Sequence, residues 1–274
     1  MMEKSVLEEQ IVSMLTKGLV KPKITVVGCG GAGNNIVHSI YWSADSEVET
    51  VAVNTDETKL SKIEAHKKVL IGKDITRGRG AGGFPEVGEY CAECAKEVFE
   101  DMLGDADIVF VIAGMGGGTG TGSAPVISEV AREKGAVTFA IAINPFSHEV
   151  DRCKKAEEGI CRLKESAETT IVLENDKLLE IAGNLALKET FSIMERSIMK
   201  IINSVDSRIS ESFCLQIESD VKQMLDEMNE AELEDLSDLT SRRPAPPLPI
   251  PQSAEMGMEI PDLNPGFDPG LGML

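Results

Sequence analysis

The sequence predicts an α/β domain, doubly wound around a mostly parallel sheet. Three observations carry the prediction. Short runs that are nearly all apolar alternate with helix-length amphipathic stretches, and strands that are apolar on both faces belong to parallel sheets covered above and below by helices. Two of these strands run straight into glycine-rich turns that open helices. From Leu187 onward the alternation stops, and apolar residues recur every three or four positions with no Pro or Gly as far as Met228, which is a long-helix pattern.

Taken in order, Met1 to Leu19 reads as a short amphipathic helix. Its Glu3, Glu8 and Glu9 interrupt any apolar run and argue against a secretory signal. The strands are Lys23–Val27, Thr50–Asn54, Lys68–Ile71, Ile108–Ile112, Val137–Ile143 and Thr169–Leu173. Between them lie a helix through Ile36, Val37 and Ile40, a single helix from about Pro85 to Leu103, one through Val126, Ile127 and Val130, and one over roughly Asp151 to Glu165. The long pattern through Phe191, Met194, Ile198, Ile202 and Val205 is one helix, or two with a soft break near Ser210-Glu211-Ser212. An acidic stretch, Asn229 to Asp238, precedes the polyproline-type run Arg242 to Pro251, and a Gly-, Pro- and Met-rich tail without periodicity ends the chain. The predicted organisation is therefore an N-terminal helix (1–22), a nucleotide-type α/β domain (23–186), a long helix with a helical extension (187–230), and a disordered tail (231–274).

Composition narrows the function. A chain of 274 residues with 42% apolar content supports one large domain, and one Trp with two Tyr makes its core aliphatic. The net charge of −19, from 46 acidic and 27 basic residues, disfavours nucleic acid and anionic lipid as partners. No window is long and apolar enough for membrane insertion. Six unevenly spaced cysteines fit a reducing cytoplasm. Cys91-x-x-Cys94 lacks a second pair for zinc and reads as packing; His38, His66 and His148 share no catalytic pattern.

The centre of the chain is Gly114-Met115-Gly116-Gly117-Gly118-Thr119-Gly120-Thr121-Gly122, between the strand at Ile108 and a helix. Six glycines in nine residues each cost chain entropy and bring no side chain, so packing does not explain them, and a surface loop does not fit the flanking strand and helix. Strand, glycine loop and helix start bring backbone N–H groups to the positive end of a helix dipole, a phosphate cradle. A second loop, Gly28 to Asn35, satisfies G-x-G-x-x-G through Gly28, Gly30 and Gly33. With Asp56 at the position of a ribose ligand, it alone would indicate a dinucleotide. A third, Gly78 to Gly83, also follows a strand. Three such loops on one rim favour a nucleoside triphosphate over NAD.

These motifs resemble the tubulin/FtsZ family. Gly116 to Gly122 is similar to its signature loop. Gly28 to Asn35, Ala52 to Asp56, Gly78 to Glu86, Asn144-Pro145-Phe146 and Asn175 to Leu179 are similar to FtsZ loops in order and spacing, from about Lys23 to Val205, with an archaeal look. The resemblance implies GTP and GDP as ligands, with Mg accompanying the triphosphate. It implies that Gly30, Gly31, Ala32, Gly33 and Asn34 line the nucleotide and that Asn35 meets the guanine edge. Ala81, Gly82 and Gly83 face the γ-phosphate; Gly116, Gly117, Gly118, Thr119, Gly120 and Thr121 hold the inner phosphates. Asp56 and Pro145 border the site, Glu149 accepts from the ribose with Arg152 nearby, Phe191 stacks on the base, and Glu195 reads guanine N1–H and N2–H.

Departures from the family pattern shape the expected function. Arg79 stands where the family has an apolar residue, either a charge-neutralising group or a solvent-facing side chain. The acidic Asn-x-Asp-Phe-Ala-Asp loop expected after the long helix is missing, Asn203-Ser204-Val205-Asp206 being a faint echo placed too early. The family's second, β-rich domain has no counterpart. Hydrolysis by the chain alone is expected to be weak, since nothing orients the attacking water. The expected protein is a cytoplasmic FtsZ-like GTP-binding protein of the cell-division and cytoskeletal type, with no assigned catalytic residue or metal ligand. It would partner a full-length FtsZ-like subunit, capping or regulating filaments, or itself. The alternative is a GTP-dependent interaction module pairing through its long helix. Glu259-Ile260-Pro261-Asp262-Leu263 resembles an adaptor-docking peptide of FtsZ tails.

Overall fold

A computed structural model of the chain describes residues 22–43, 48–183, 186, 189–209, 211–212, 219 and 223. All of them fall within the compact unit Met1–Gln223. The N-terminal helix, the acidic stretch and the tail read from the sequence lie outside the described residues, as does the position of any break at Ser210.

Six strands, β1 (Ile24–Cys29), β2 (Glu49–Asn54), β3 (Lys67–Leu70), β4 (Ile108–Gly114), β5 (Val137–Asn144) and β6 (Thr169–Glu174), form one sheet in the order β3-β2-β1-β4-β5-β6. Every pairing is parallel. The order reverses between β1 and β4, and in open α/β sheets the crevice at such a reversal is where ligands bind. The strands bear the expected boundaries to within a residue or two, because runs such as Ile108-Val109-Phe110-Val111-Ile112 are buried throughout.

Successive side chains leave the sheet on opposite faces, which divides the core in two. On one face Val27, Val51, Val109 and Val111 pack against Phe99, Leu103, Ile127 and Leu163. These belong to α5 (Lys96–Leu103), α6 (Thr119–Glu133) and α7 (Val150–Ser166), with α4 (Pro85–Glu93) beside them. On the other face Val26, Phe110, Ile112 and Ile141 meet Ile36 and Val37 of α1 (Gly30–Tyr41) and Met194, Ile198 and Ile202 of a helix over residues 189–209, here α9. The long helix thus spends its apolar stripe on the sheet. Three short helices complete the described chain: α2 (Glu57–Leu60), α3 (Lys73–Thr76) and α8 (Asn175–Ala182), the last covering residues expected as a loop.

The single helix expected from Pro85 to Leu103 is two. It stops at Cys94, Ala95 leaves helical geometry (φ −107°, ψ 11°), and α5 restarts at Lys96. The buried positions Gly88, Ala92, Phe99 and Leu103 keep a helical spacing across the break. Periodicity therefore carries no trace of it, and neither Pro nor Gly marks the place.

Candidate functional site

Both strands at the sheet's reversal open into one cleft of about 560 Å³. After β1 its wall is Gly30, Gly31 and Ala32, the first residues of α1; after β4 it is Gly114, Gly116, Gly117 and Gly118, then Thr119 and Gly120 at the start of α6. Two helices therefore begin at the cleft, and the free N–H groups of their first turns, with the aligned peptide dipoles behind them, favour an anion there. The third wall is Arg79 to Gly83, and Asn54, Asp56 and Lys59 follow β2. The three glycine loops expected to meet at one rim do meet.

The third loop is fastened at both ends. Gly80 N–H donates to Thr55 O (3.1 Å), Thr76 Oγ1 donates to Thr55 O (3.2 Å), and Asp56 and Arg79 form an isolated antiparallel bridge. At the far end Lys155 Nζ donates to Gly83 O (2.7 Å) and lies 5.5 Å from the centre of the Phe84 ring. The Thr55 and Thr119 hydroxyls, 2.6 Å apart and buried, join the end of β2 to the start of α6.

The glycines are of two kinds, and this corrects the expectation that packing has no part in them. A Cβ at Gly114 would come within 2.6 Å of Ala32 Cβ, one at Gly118 within 2.8 Å of Ala81 Cβ, and one at Gly120 within 2.6 Å of Gly114 O. At Gly122 it would overlap Pro85 O and Glu89 N, and at Gly33 it would overlap Ile112 O. At Gly33, Gly120 and Gly122 glycine lets backbone lie on backbone, and at Gly114 and Gly118 it makes room for the methyl groups of Ala32 and Ala81. Gly31 and Gly117 differ: a Cβ there meets nothing within 4 Å, and neither has a positive φ. The fold itself has no steric need of glycine at either position, and both line the cleft.

Charge gives the same sign. Among the described residues Lys59, Arg79, Arg152 and Lys155 line the cleft against one carboxylate, Asp56, in a chain of net charge −19. Asp56 is engaged: Oδ1 accepts from Lys59 N–H (3.0 Å), capping α2, and Oδ2 lies 3.5 Å from Lys59 Nζ. A basic cleft walled by backbone amides is built for a polyanion. No group of three or more metal-ligating side chains exists among the described residues. A magnesium ion would be held chiefly by phosphate oxygens and waters, as suits its reluctance to dehydrate.

The remaining expected residues sit around the cleft rather than on its wall. Gly33 serves the close approach of α1 to β4. Asn34 is buried with neither amide atom partnered among the described residues, whereas Asn35 is exposed. Thr121 and Pro145 are buried. Phe191 packs into the Ile36–Ile198 side of the core, and Glu195 Oε2 accepts from Ser39 Oγ (3.0 Å), tying α9 to α1. Sequence reading passed over Lys59, Lys155 and Asn54, whose Nδ2 is also buried without a partner. The signal for Lys155 was one helical step from Arg152 on α7.

Glu149 organises the entrance to α7. Its carboxylate accepts from Phe146 N–H (3.2 Å) and from Arg152 Nη1 (2.6 Å). The Arg152 bond, with a smaller share from Phe146, holds this carboxyl below its ordinary pKa against the opposing effect of burial. A lowered folded-state pKa adds stability that is present above the ordinary carboxyl value and is lost as pH falls through the lower one. Glu149→Gln is expected to reduce stability at pH 7 by less than about 1 kcal/mol, since the pair is partly exposed, and to converge with the parent in acid, once pH has fallen through the lowered value. Urea melts at pH 7 and through the acid range check this; a gap that stays constant as pH falls would show that the carboxylate charge is not responsible.

Sheet order, glycine walls and a basic cleft are those of a nucleotide-type α/β domain, and residues 23–183 match the model of the Tubulin/FtsZ family, GTPase domain. The chain belongs to that family. Within it the resemblance is to FtsZ: the chain is 46% identical over 204 residues to cell division protein FtsZ 2 of Methanocaldococcus jannaschii, covering 74% of this chain and 54% of that one. It is 45% identical over 197 residues to cell division protein FtsZ 2 of Halobacterium salinarum, covering 72% and 50%. A solved structure of an empty FtsZ dimer from M. jannaschii superposes with a TM-score of 0.66 at 42% identity, covering 73% of this chain and 58% of that one. The chain spans about half the length of the curated relatives it matches. No helix among the described residues is long and apolar enough to cross a membrane.

Proposed function

We propose that this chain binds GTP in the cleft, hydrolyses it slowly by itself, and reaches full turnover only against an acidic loop supplied by an FtsZ-type neighbour. The observation that carries the GTP reading is the pair Gly31 and Gly117, glycines that the fold does not require, on a wall ringed by cations. Amides at the starts of α1 and α6 would take the inner phosphate oxygens, and Arg79, Arg152 and Lys155 would offset the remaining charge. Asn34 supplies a buried amide whose unmet hydrogen bonds, about 1–3 kcal/mol for a buried polar group, a bound base or an ordered water would satisfy.

Weak hydrolysis follows from what the cleft does not offer. Asp56, the sole carboxylate among its described wall residues, is committed to Lys59 and to capping α2, so it is poorly placed to orient water. The sequence after α9 carries no Asn-x-Asp-Phe-Ala-Asp pattern where the resemblance puts one. With a nucleotide face and no such loop, the chain would dock on the free activating loop of a full-length subunit, capping or regulating a filament. That an M. jannaschii relative was solved as a dimer supports subunit contact as the route. The other reading, pairing through the long helix, is weakened because Met194, Ile198 and Ile202 are already buried against the sheet.

GTP and GDP are expected to raise the melting temperature where ATP and NAD do not, by the equivalent of about 2.7 kcal/mol at a hundred times Kd. Turnover by the chain alone is expected to stay low and proportional to its concentration, and to rise when a full-length archaeal FtsZ is added. Fast turnover that steepens with the concentration of this chain alone would overturn the proposal.

A further inference from the structure

We infer that Arg79 is the residue by which this chain distinguishes a nucleoside triphosphate from the diphosphate; the inference rests on the GTP reading of the cleft. Four cations line the wall, and three are already engaged: Lys59 with Asp56 (3.5 Å), Arg152 with Glu149 (2.6 Å) and Lys155 with Gly83 O (2.7 Å). The guanidinium of Arg79 has no hydrogen-bond or ion-pair partner among the described residues. Asp56 lies across the bridge from it and pairs with Lys59 instead. Glu57, beside Gly78, pairs with Lys73 at 3.2 Å.

Its base, by contrast, is held. Arg79 N–H donates to Thr76 O (3.1 Å), Gly78 and Gly80 flank it at φ +68° and +87°, and the bridge to Asp56 fixes its direction. A fixed backbone carrying a free, planar, five-donor group suits one fork-shaped contact to a phosphate. The helix starts after β1 and β4 provide amides for two phosphates. The wall from Arg79 to Gly83 is left for a third; of the two cations on it, Lys155 is already held by Gly83 O and Arg79 is the one without a partner among the described residues. A triphosphate would engage it; a diphosphate held at the helix starts would leave it in water. An exposed, solvated arginine is the ordinary alternative, and it predicts no difference between the two nucleotides.

Calorimetric titration of the full chain with GTP and with GDP, in magnesium buffer, tests this with Arg79→Leu and Arg79→Lys. The leucine variant is expected to bind GTP about tenfold more weakly or worse, the scale of one charge-assisted hydrogen bond, and GDP within about twofold of the parent. The lysine variant, which keeps charge and loses the fork, is expected to fall between them, and the salt dependence of GTP binding to become shallower in the leucine variant alone. Equal weakening of both nucleotides, or of neither, would overturn the assignment of Arg79 while leaving the GTP reading in place. Failure of the parent chain to bind either nucleotide would instead remove the GTP reading, and this role with it. Because the exposed side chain makes no hydrogen bond or ion pair with any described residue, unchanged melting of the nucleotide-free variants is expected; a variant that melts early contradicts the free guanidinium on which the inference stands.

Discussion

Gly117→Ala is expected to weaken GTP binding about a hundredfold while leaving the nucleotide-free protein as stable as before, or slightly more so. An added Cβ at this position meets no atom of the protein within 4 Å, and its backbone lies outside the left-handed region. Restricting the unfolded chain would then stabilise by about 0.4–1 kcal/mol. The same methyl group projects from a wall of the cleft and would hold a phosphate away from the loop amides. Losing two hydrogen bonds to a charged group, at about 1.5–3 kcal/mol each, corresponds to roughly two decades or more in affinity. Gly31→Ala, at the second residue of α1, is expected to show the same split. Thermal melts without nucleotide and titration with GTP separate the two effects. Unaltered affinity in both variants would mean that these walls do not touch the ligand.

The opposite result is expected at Gly122. There a Cβ would overlap Pro85 O and Glu89 N where α6 crosses α4, and backbone cannot swing aside as a flexible side chain can. Gly122→Ala is expected to cost about 3 kcal/mol, the upper part of the range for overpacking a tight contact, seen as a fall of roughly 6–12 °C in melting temperature. The damage should reach the cleft, because Pro85 directly follows the loop that forms its third wall. Nucleotide affinity should therefore fall together with stability, unlike the Gly117 result. A Gly122→Ala protein that melts with the parent would show that the two helices have slack that this structure does not contain.

That contrast also marks how far the sequence alone could be read. The sheet was legible because Val26, Val51, Val109 and Ile141 stand in apolar runs too short for helices, and a buried parallel strand leaves no other pattern. The meeting of the three loops was legible for a related reason, since two follow strands of that sheet directly and the third follows β3 after only the short helix α3. The division of labour among the glycines was not. Gly117 and Gly122 look alike in sequence, and the difference lies in what faces them, which is Pro85 in one case and open cleft in the other. Phe191 and Glu195 fell on the long helix as expected, but how that helix turns about its own axis is decided by α1, through Ser39 and the Ile36 side of the core. Lys155 has no motif of its own in the sequence; only its place one helical step beyond Arg152 on α7 brings it to the cleft. The break at Ala95 was invisible because the buried stripe runs through it without losing step.

The clasp of Lys155 on Gly83, together with the ties from Thr55 to Gly80 and Thr76, bears on how readily a nucleotide is admitted. A wall that must be ordered at the moment of capture subtracts its lost freedom from every affinity. Here the ordering is completed when the chain folds, by bonds that no nucleotide has to make. If the cleft takes a nucleotide as proposed, admission would turn on fit and charge rather than on closure, and a visitor of the wrong shape would gain nothing from waiting.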